Sequence, residues 1–236
     1  MSPTTTREAP ARLTPAAPAP EPHDPLSASA LFDDLVDGEL SAADAPEQIT
    51  LPGTIADGMD RAWDRTLRTP GGREHGGTIS RDPDGGYGWT DAPKGKKGSL
   101  TLPAPKEGED RVGVGHTHPR LGFPSFKHQD WSFSGQDLSV IARADQRVMT
   151  LRAADTNYLI GRTQEFDARF DALKEQIGED EARQQLGDQI AASFEAELKA
   201  AKGSQSKRIE AAVRATCDTY GLLYYAGEGQ ELTHRE

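Results

Sequence analysis

The chain of 236 residues holds one cysteine, Cys217. An internal disulfide framework and a thiolate zinc cluster are therefore excluded, as is the deaminase zinc signature, which needs a Pro-Cys-x-x-Cys pair. Cys217 recurs at helical spacing with Val213 and Tyr220, which makes it a small core residue rather than a nucleophile. Apolar residues are scarce too, at 35% of the chain with 6% aromatic, so part of it is expected to stay unfolded. No segment approaches the roughly eighteen consecutive apolar residues of a membrane span. Positive charge is short: 27 Lys and Arg against 38 Asp and Glu leave a formal net charge of -11, which repels phosphate backbones. With no arginine stripe and no interleave of aromatic and basic residues, neither nucleic acid nor membrane is an expected partner. Also missing are a His-Glu-x-x-His helix, a Gly-x-x-x-x-Gly-Lys phosphate loop and a Gly-x-Ser-x-Gly elbow.

What remains divides into three parts. Residues 1–45 read as a disordered leader, because residues 4–30 are a run of Pro, Ala, Thr and Ser that cannot bury enough apolar surface to offset the entropy of ordering. That leader lacks the charged start and apolar stretch of a secretory signal, so a cytoplasmic protein is expected, with leaderless export left open. Residues 46–163 read as an α/β domain. A helix is predicted over 54–67, with Ile55, Met59, Ala62, Trp63 and Leu67 on one face. Strands are predicted over 76–80 and 86–90 around the turn Arg81-Asp82-Pro83-Asp84-Gly85, then over 111–118, 148–151 and 158–161, with a helix from Asp137 to about Ala144. Residues 164–236 read as a helical extension or cap: Phe166, Phe170, Leu173 and Ile177, then Leu186, Ile190, Phe194 and Leu198, recur every three or four residues, and a third helix lies near 206–220. Leu222-Leu223-Tyr224-Tyr225 adds a short strand or an apolar plug, and Lys94-Gly95-Lys96-Lys97 a solvated hairpin tip.

The most informative feature is His116-Thr117-His118-Pro119, followed by Ser134-x-x-Asp137 and preceded by Glu74 among Gly71, Gly72, Gly76 and Gly77. Two histidines one residue apart on an extended segment project to the same side, so both imidazoles can reach one ion, and a carboxylate from the next element can supply a third ligand. Zinc so held keeps one of its four positions for water, whose pKa it brings toward about 7, giving a hydrolytic nucleophile. The glycines around Glu74 are not followed by the lysine or helix start of a phosphate cradle, and look like close-approach or turn residues around a strand.

These residues resemble the signature of the JAB/MPN/JAMM metallopeptidase family: a distant Glu, then His-x-His-Pro, then Ser-x-x-Asp. The resemblance implies a JAB/MPN-like mixed β-sheet flanked by helices. It makes His116, His118 and Asp137 the zinc ligands, Glu74 the general base that takes the water's proton, and Ser134 a hydroxyl donor to the oxyanion. These roles suit the side chains: Glu74 has no ligand-like partner at metal-binding spacing, and a hydroxyl one helical turn before Asp137 can point into the same cavity. A closer likeness is to a bacterial JAB-like group attached to polymorphic and type VI secreted toxins. It is carried by Arg73-Glu74-x-Gly76-Gly77, Gly86-Tyr87-x-Trp89-Thr90, Gly115-His116-Thr117-His118-Pro119, Phe133-Ser134-x-x-Asp137-Leu138 and Tyr158-Leu159, in order within residues 56–163. That likeness implies a toxin or effector setting, with an immunity protein or secretion apparatus as partner.

The chain departs from the family pattern in one place. Residues 121–132 lengthen the gap between the second histidine and the serine, and contain Ser125-x-x-His128, a second register with histidine in place of aspartate. Ser134 with Asp137 is preferred, because Leu138, Val140, Ile141 and Ala144 follow at helical spacing and seat the ligand on a first turn. His128 is then a loop residue, with a gating role as the alternative. Two functions from different classes follow. One is a zinc metallopeptidase or isopeptidase acting on protein or on the peptide stems of peptidoglycan. The other is a non-catalytic JAB-like binding or scaffold module, in which Phe123, Phe126 and Trp131 cover the metal or form a contact surface.

Overall fold

A computed structural model describes residues 25–69, 73–93, 100–118, 132–144 and 146–235. Several features read from the sequence lie outside those residues: the leader up to residue 24, Gly71 and Gly72, the lysine patch at 94–97, Pro119, and residues 121–131 with Ser125, His128 and the three loop aromatics.

In chain order the elements are α1 (Pro25–Asp37), β1 (Gln48–Thr50), α2 (Gly53–Arg68), β2 (Gly76–Arg81), β3 (Tyr87–Asp91), β4 (Asp110–Thr117), α3 (Gly135–Arg143), β5 (Val148–Ala153), β6 (Thr156–Arg162), α4 (Gln164–Ile177), α5 (Glu179–Ala200), α6 (Gln205–Tyr220), β7 (Leu222–Gly227) and β8 (Glu231–His234). The strands form one sheet in the order β1-β8-β7-β6-β5-β4-β2-β3. β4 and β5 run parallel, and every other neighbouring pair is antiparallel. The expected mixed α/β class is the one observed. Parallel neighbours need a crossover, and α3 supplies it, so the helix starts beside the carboxyl end of β4. That connection brings the histidine strand and the aspartate helix together.

Successive strand residues face opposite sides of the sheet. Val114, Met149, Leu151, Ile160, Leu222 and Tyr224 pack with α3, α4, α5 and α6 on one face. Ile79, Val148, Leu159, Leu223, Tyr225 and Leu232 pack with α1 and α2 on the other. Helix α2 buries Ile55, Met59, Ala62 and Trp63 as expected, but Leu67 is 65% exposed. Thr66 takes the central place in the stripe, its hydroxyl bonded to the Ala62 carbonyl at 3.0 Å, and Leu67 falls on the rim. Trp89 on β3 explains two glycines: a Cβ at Gly77 or Gly115 would collide with its ring. The turn before β3 follows its residue chemistry, with Asp82 Oδ1 accepting from the N–H groups of Asp84 (2.9 Å) and Gly86 (2.8 Å).

Two segments lie differently from their sequence divisions. Helix α1 falls inside the expected leader, because Phe32, Leu35 and Val36 recur at helical spacing and bury against the sheet. The stretch 164–236 continues the sheet as well as capping it. β7 pairs with β6 and carries buried Tyr224 and Tyr225, and β8 pairs with β7. The helical stripe of α5 (Ala182, Leu186, Ile190, Phe194) shares one apolar cluster with α3 and β5. Cys217 lies buried in that cluster, where burial pushes its thiol pKa up, as suits a packing residue. Among the described residues no helix is long and apolar enough to cross a membrane.

Candidate metal centre

His116 lies near the end of β4, and His118 follows on the same face. The extended backbone continues past the strand, since the His118 N–H donates to the Arg152 carbonyl at 2.9 Å. Both histidines are buried. Their Nε2 atoms are 3.2 Å apart. Asp137, in the first turn of α3, places Oδ1 3.3 Å from His116 Nε2 and Oδ2 3.5 Å from His118 Nε2. Bonds of roughly 2.0–2.2 Å at the tetrahedral angle put zinc donors about 3.3–3.6 Å apart, and these separations lie close to that, with a different carboxylate oxygen nearest each imidazole. The donor set fits zinc but is not specific to it: two imidazoles and one carboxylate also hold iron(II). A ligating imidazole ordinarily gives its second N–H to an acceptor. For the buried His118 Nδ1 that acceptor is not found among the described residues.

Ser134 is the N-cap of α3, one residue before the helix, and makes a reciprocal capping box with Asp137. Its Oγ accepts from the Asp137 N–H at 3.2 Å, while Asp137 Oδ2 accepts from the Ser134 N–H and hydroxyl, each at 2.7 Å. The ligand carboxylate is thereby fixed by its own helix start. The expected oxyanion role for the Ser134 hydroxyl meets a competitor here, because its hydrogen is already given to Asp137.

Glu74 reaches the site through its neighbour His75. The His75 carbonyl accepts from the Thr117 N–H at 2.9 Å, and the His75 N–H donates to Thr117 Oγ1 at 3.1 Å. Thr117 Oγ1 also lies 2.6 Å from Thr66 Oγ1 on α2. The residue between the two histidines, facing away from them, therefore holds the segment that carries Glu74. Gly76 follows, and a Cβ there would strike the Gly115 carbonyl and His116 Cα, so glycine at this position lets that segment lie against β4.

Electrostatics tie the group together. Burial by itself would lower the His116 pKa, but the adjacent Asp137 carboxylate, aided by the charge of Glu74, outweighs it and raises the value above an ordinary histidine's. Burial would raise the pKa of Asp137, yet the two imidazoles hold it well below the usual carboxylate range. Glu74, His116, His118, Ser134 and Asp137 all line one cavity of about 270 Å³.

All five sequence-predicted site residues thus converge. Periodicity and motif reading missed Thr117 as a fastener and Leu100, Leu102, Val114, Gln136, Val140 and Met149 as side chains lining the cavity. The alternation of Leu100 and Leu102 before Pro103 was the available signal for part of that wall. No protein-family model, curated protein or solved structure matches the chain.

Proposed function

We propose that the protein is a metal-dependent hydrolase of amide bonds, a JAMM-like metallopeptidase or isopeptidase with zinc as its ion. One observation carries this reading: two imidazoles and a carboxylate close enough to share one ion lie in a cavity with a further carboxylate that is not among the donors. His116, His118 and Asp137 would hold the ion. Zinc there supplies Lewis acidity, bringing the pKa of water to about 7 and polarising a carbonyl. Glu74 takes the proton of the attacking water and hands it to the leaving amine, a transfer that belongs to a carboxylate beside the donors rather than among them. Ser134 orients the Asp137 carboxylate, and its hydroxyl serves the oxyanion only after rotating away from Oδ2.

The motif likeness to toxin-associated JAB-like domains suggests protein conjugates or peptidoglycan stems as substrates, and export by a leaderless route as the setting. The test starts with metal analysis of purified protein, where about one zinc per chain is expected. Glu74→Gln keeps that metal and cuts hydrolysis by about 10²- to 10⁴-fold when ubiquitin-like conjugates and purified peptidoglycan are offered side by side. Full activity in this variant removes Glu74 as base. Absence of metal from the wild type, with partner binding unchanged in His116→Ala, turns the assignment to the non-catalytic scaffold. Bound iron in place of zinc turns it to oxygen chemistry.

A further inference from the structure

The donors occupy only one end of their cavity. Apart from Glu74, Ser134, Gln136 and the Gly115 backbone, the remaining lining is aliphatic, and its residues come from separate elements at spacings that aim them at the same space. Val114 lies two residues before His116 on the same face of β4, and Met149 is its register partner on β5, so these two make the floor. Val140 sits one helical turn beyond Gln136 and Asp137 on α3, on the side that faces the donors. Leu100 and Leu102 alternate along the segment leading to Pro103, whose carbonyl accepts from the Thr78 hydroxyl at 2.7 Å and so ties that segment to β2. Val140 and both leucines keep part of their surface exposed. Apolar surface left open beside a reactive centre is a binding surface in waiting.

From this geometry we infer that the cavity is a specificity pocket for an aliphatic side chain, of leucine, valine or methionine type, on the substrate residue flanking the scissile amide. The assignment rests on the metallopeptidase reading of the same site. No lysine or arginine stands among the described lining residues to pair with an acidic side chain, and Glu74 would repel it. A basic side chain would pair with Glu74 and occupy the base. At about 270 Å³ the cavity suits one side chain and its peptide unit rather than a larger ligand. Substrates of this class are extended protein segments with an aliphatic residue at the cut, in preference to charge-rich peptide stems.

The test is calorimetric titration of the zinc-loaded protein with acetohydroxamate and with the hydroxamates of N-acetyl-leucine, N-acetyl-alanine and N-acetyl-aspartate. Binding by the leucine compound about tenfold or more tighter than the alanine compound, with the aspartate compound weakest, is the expected order. Leu102→Ser, and independently Leu100→Ser, should narrow the leucine-over-alanine ratio to within about twofold. Equal affinity of the leucine and alanine compounds in the wild type overturns the pocket while acetohydroxamate binding leaves the metal reading standing. If no hydroxamate binds, the metal reading fails and the pocket falls with it.

Discussion

On the face covered by α1 and α2 the sheet meets a closed apolar layer, whereas on the face covered by α3 to α6 that layer stops short above β2 and β4. The two sides of β4 show the contrast within one strand. Gly115 and Thr117 point to the closed side, where a Cβ on Gly115 has no room beside Trp89 and Thr150, and where Thr117 meets Thr66. Val114 and His116 point to the open side, into the cavity. The closed side fixes the backbone, and the open side is where rigidly held groups meet solvent. Such a division is what a preorganised site needs, since side chains on a well-packed strand and a capped helix turn cannot drift from one another.

Equivalent truncations on the two faces should therefore have unequal effects. Leu159 on β6 is fully buried on the closed side, and Leu159→Ala is expected to cost about 3 kcal/mol in chemical denaturation, through lost burial and a cavity with no means to collapse. Leu102, half-buried at the cavity's edge, is expected to cost about 1 kcal/mol or less when changed to alanine, because its space is already open. Equal costs would mean that the cavity is closed in solution and that the contrast between the faces does not hold.

How much of this was legible beforehand depended on distance along the chain. Helices α2 to α6 and the strand pair at β5 and β6 follow from local period, and the turn at Asp82 from its own side chain. His116, His118, Ser134 and Asp137 were readable because a short extended segment and a helix start each fix their own geometry. Glu74 was located through the family likeness, since its approach depends on Thr117 more than forty residues away, as the 42-residue separation of the His75 bond shows. Helix α1 was hidden by the proline- and alanine-rich run beside it, although Phe32, Leu35 and Val36 carry the right spacing. The central place of β7 was likewise out of reach, because periodicity reports a strand but not its neighbours.

Proton binding gives a second way to sharpen the contrast, since the open face carries the coupled pair of His116 and Asp137. The raised His116 pKa means that, without metal, its stabilising share is fully present below its unfolded value near 6.5 and is lost as pH rises through the folded value. The lowered Asp137 pKa contributes above its unfolded value near 3.8 and is lost as pH falls through the folded value. The metal-free protein should accordingly be most stable in the interval between those unfolded values. Metal binding must displace the His116 proton, so apparent zinc affinity should fall about tenfold per pH unit once pH is below the raised value. Melting curves from pH 5 to 8, with zinc and with chelator, should show the zinc-induced gain widening as pH rises. A gain that is flat across this range would separate His116 from the metal.

Thr117 joins the two faces, and the smallest predicted effect is the most discriminating. Its hydroxyl points away from the cavity, yet it holds the His75 backbone that carries Glu74. Thr117→Val keeps the shape and leaves the His75 N–H without its hydroxyl acceptor, which loosens the base while the three metal donors stay in place. Zinc content should remain that of the wild type, kcat on whichever of the offered substrates is cut should fall about fivefold with KM little changed, and Thr117→Ser should recover most of the loss. A fall in zinc content would show that Thr117 supports the histidines instead. Unchanged kcat would show that the bond from the Thr117 N–H to the His75 carbonyl, which the substitution keeps, is enough to position Glu74 without the hydroxyl.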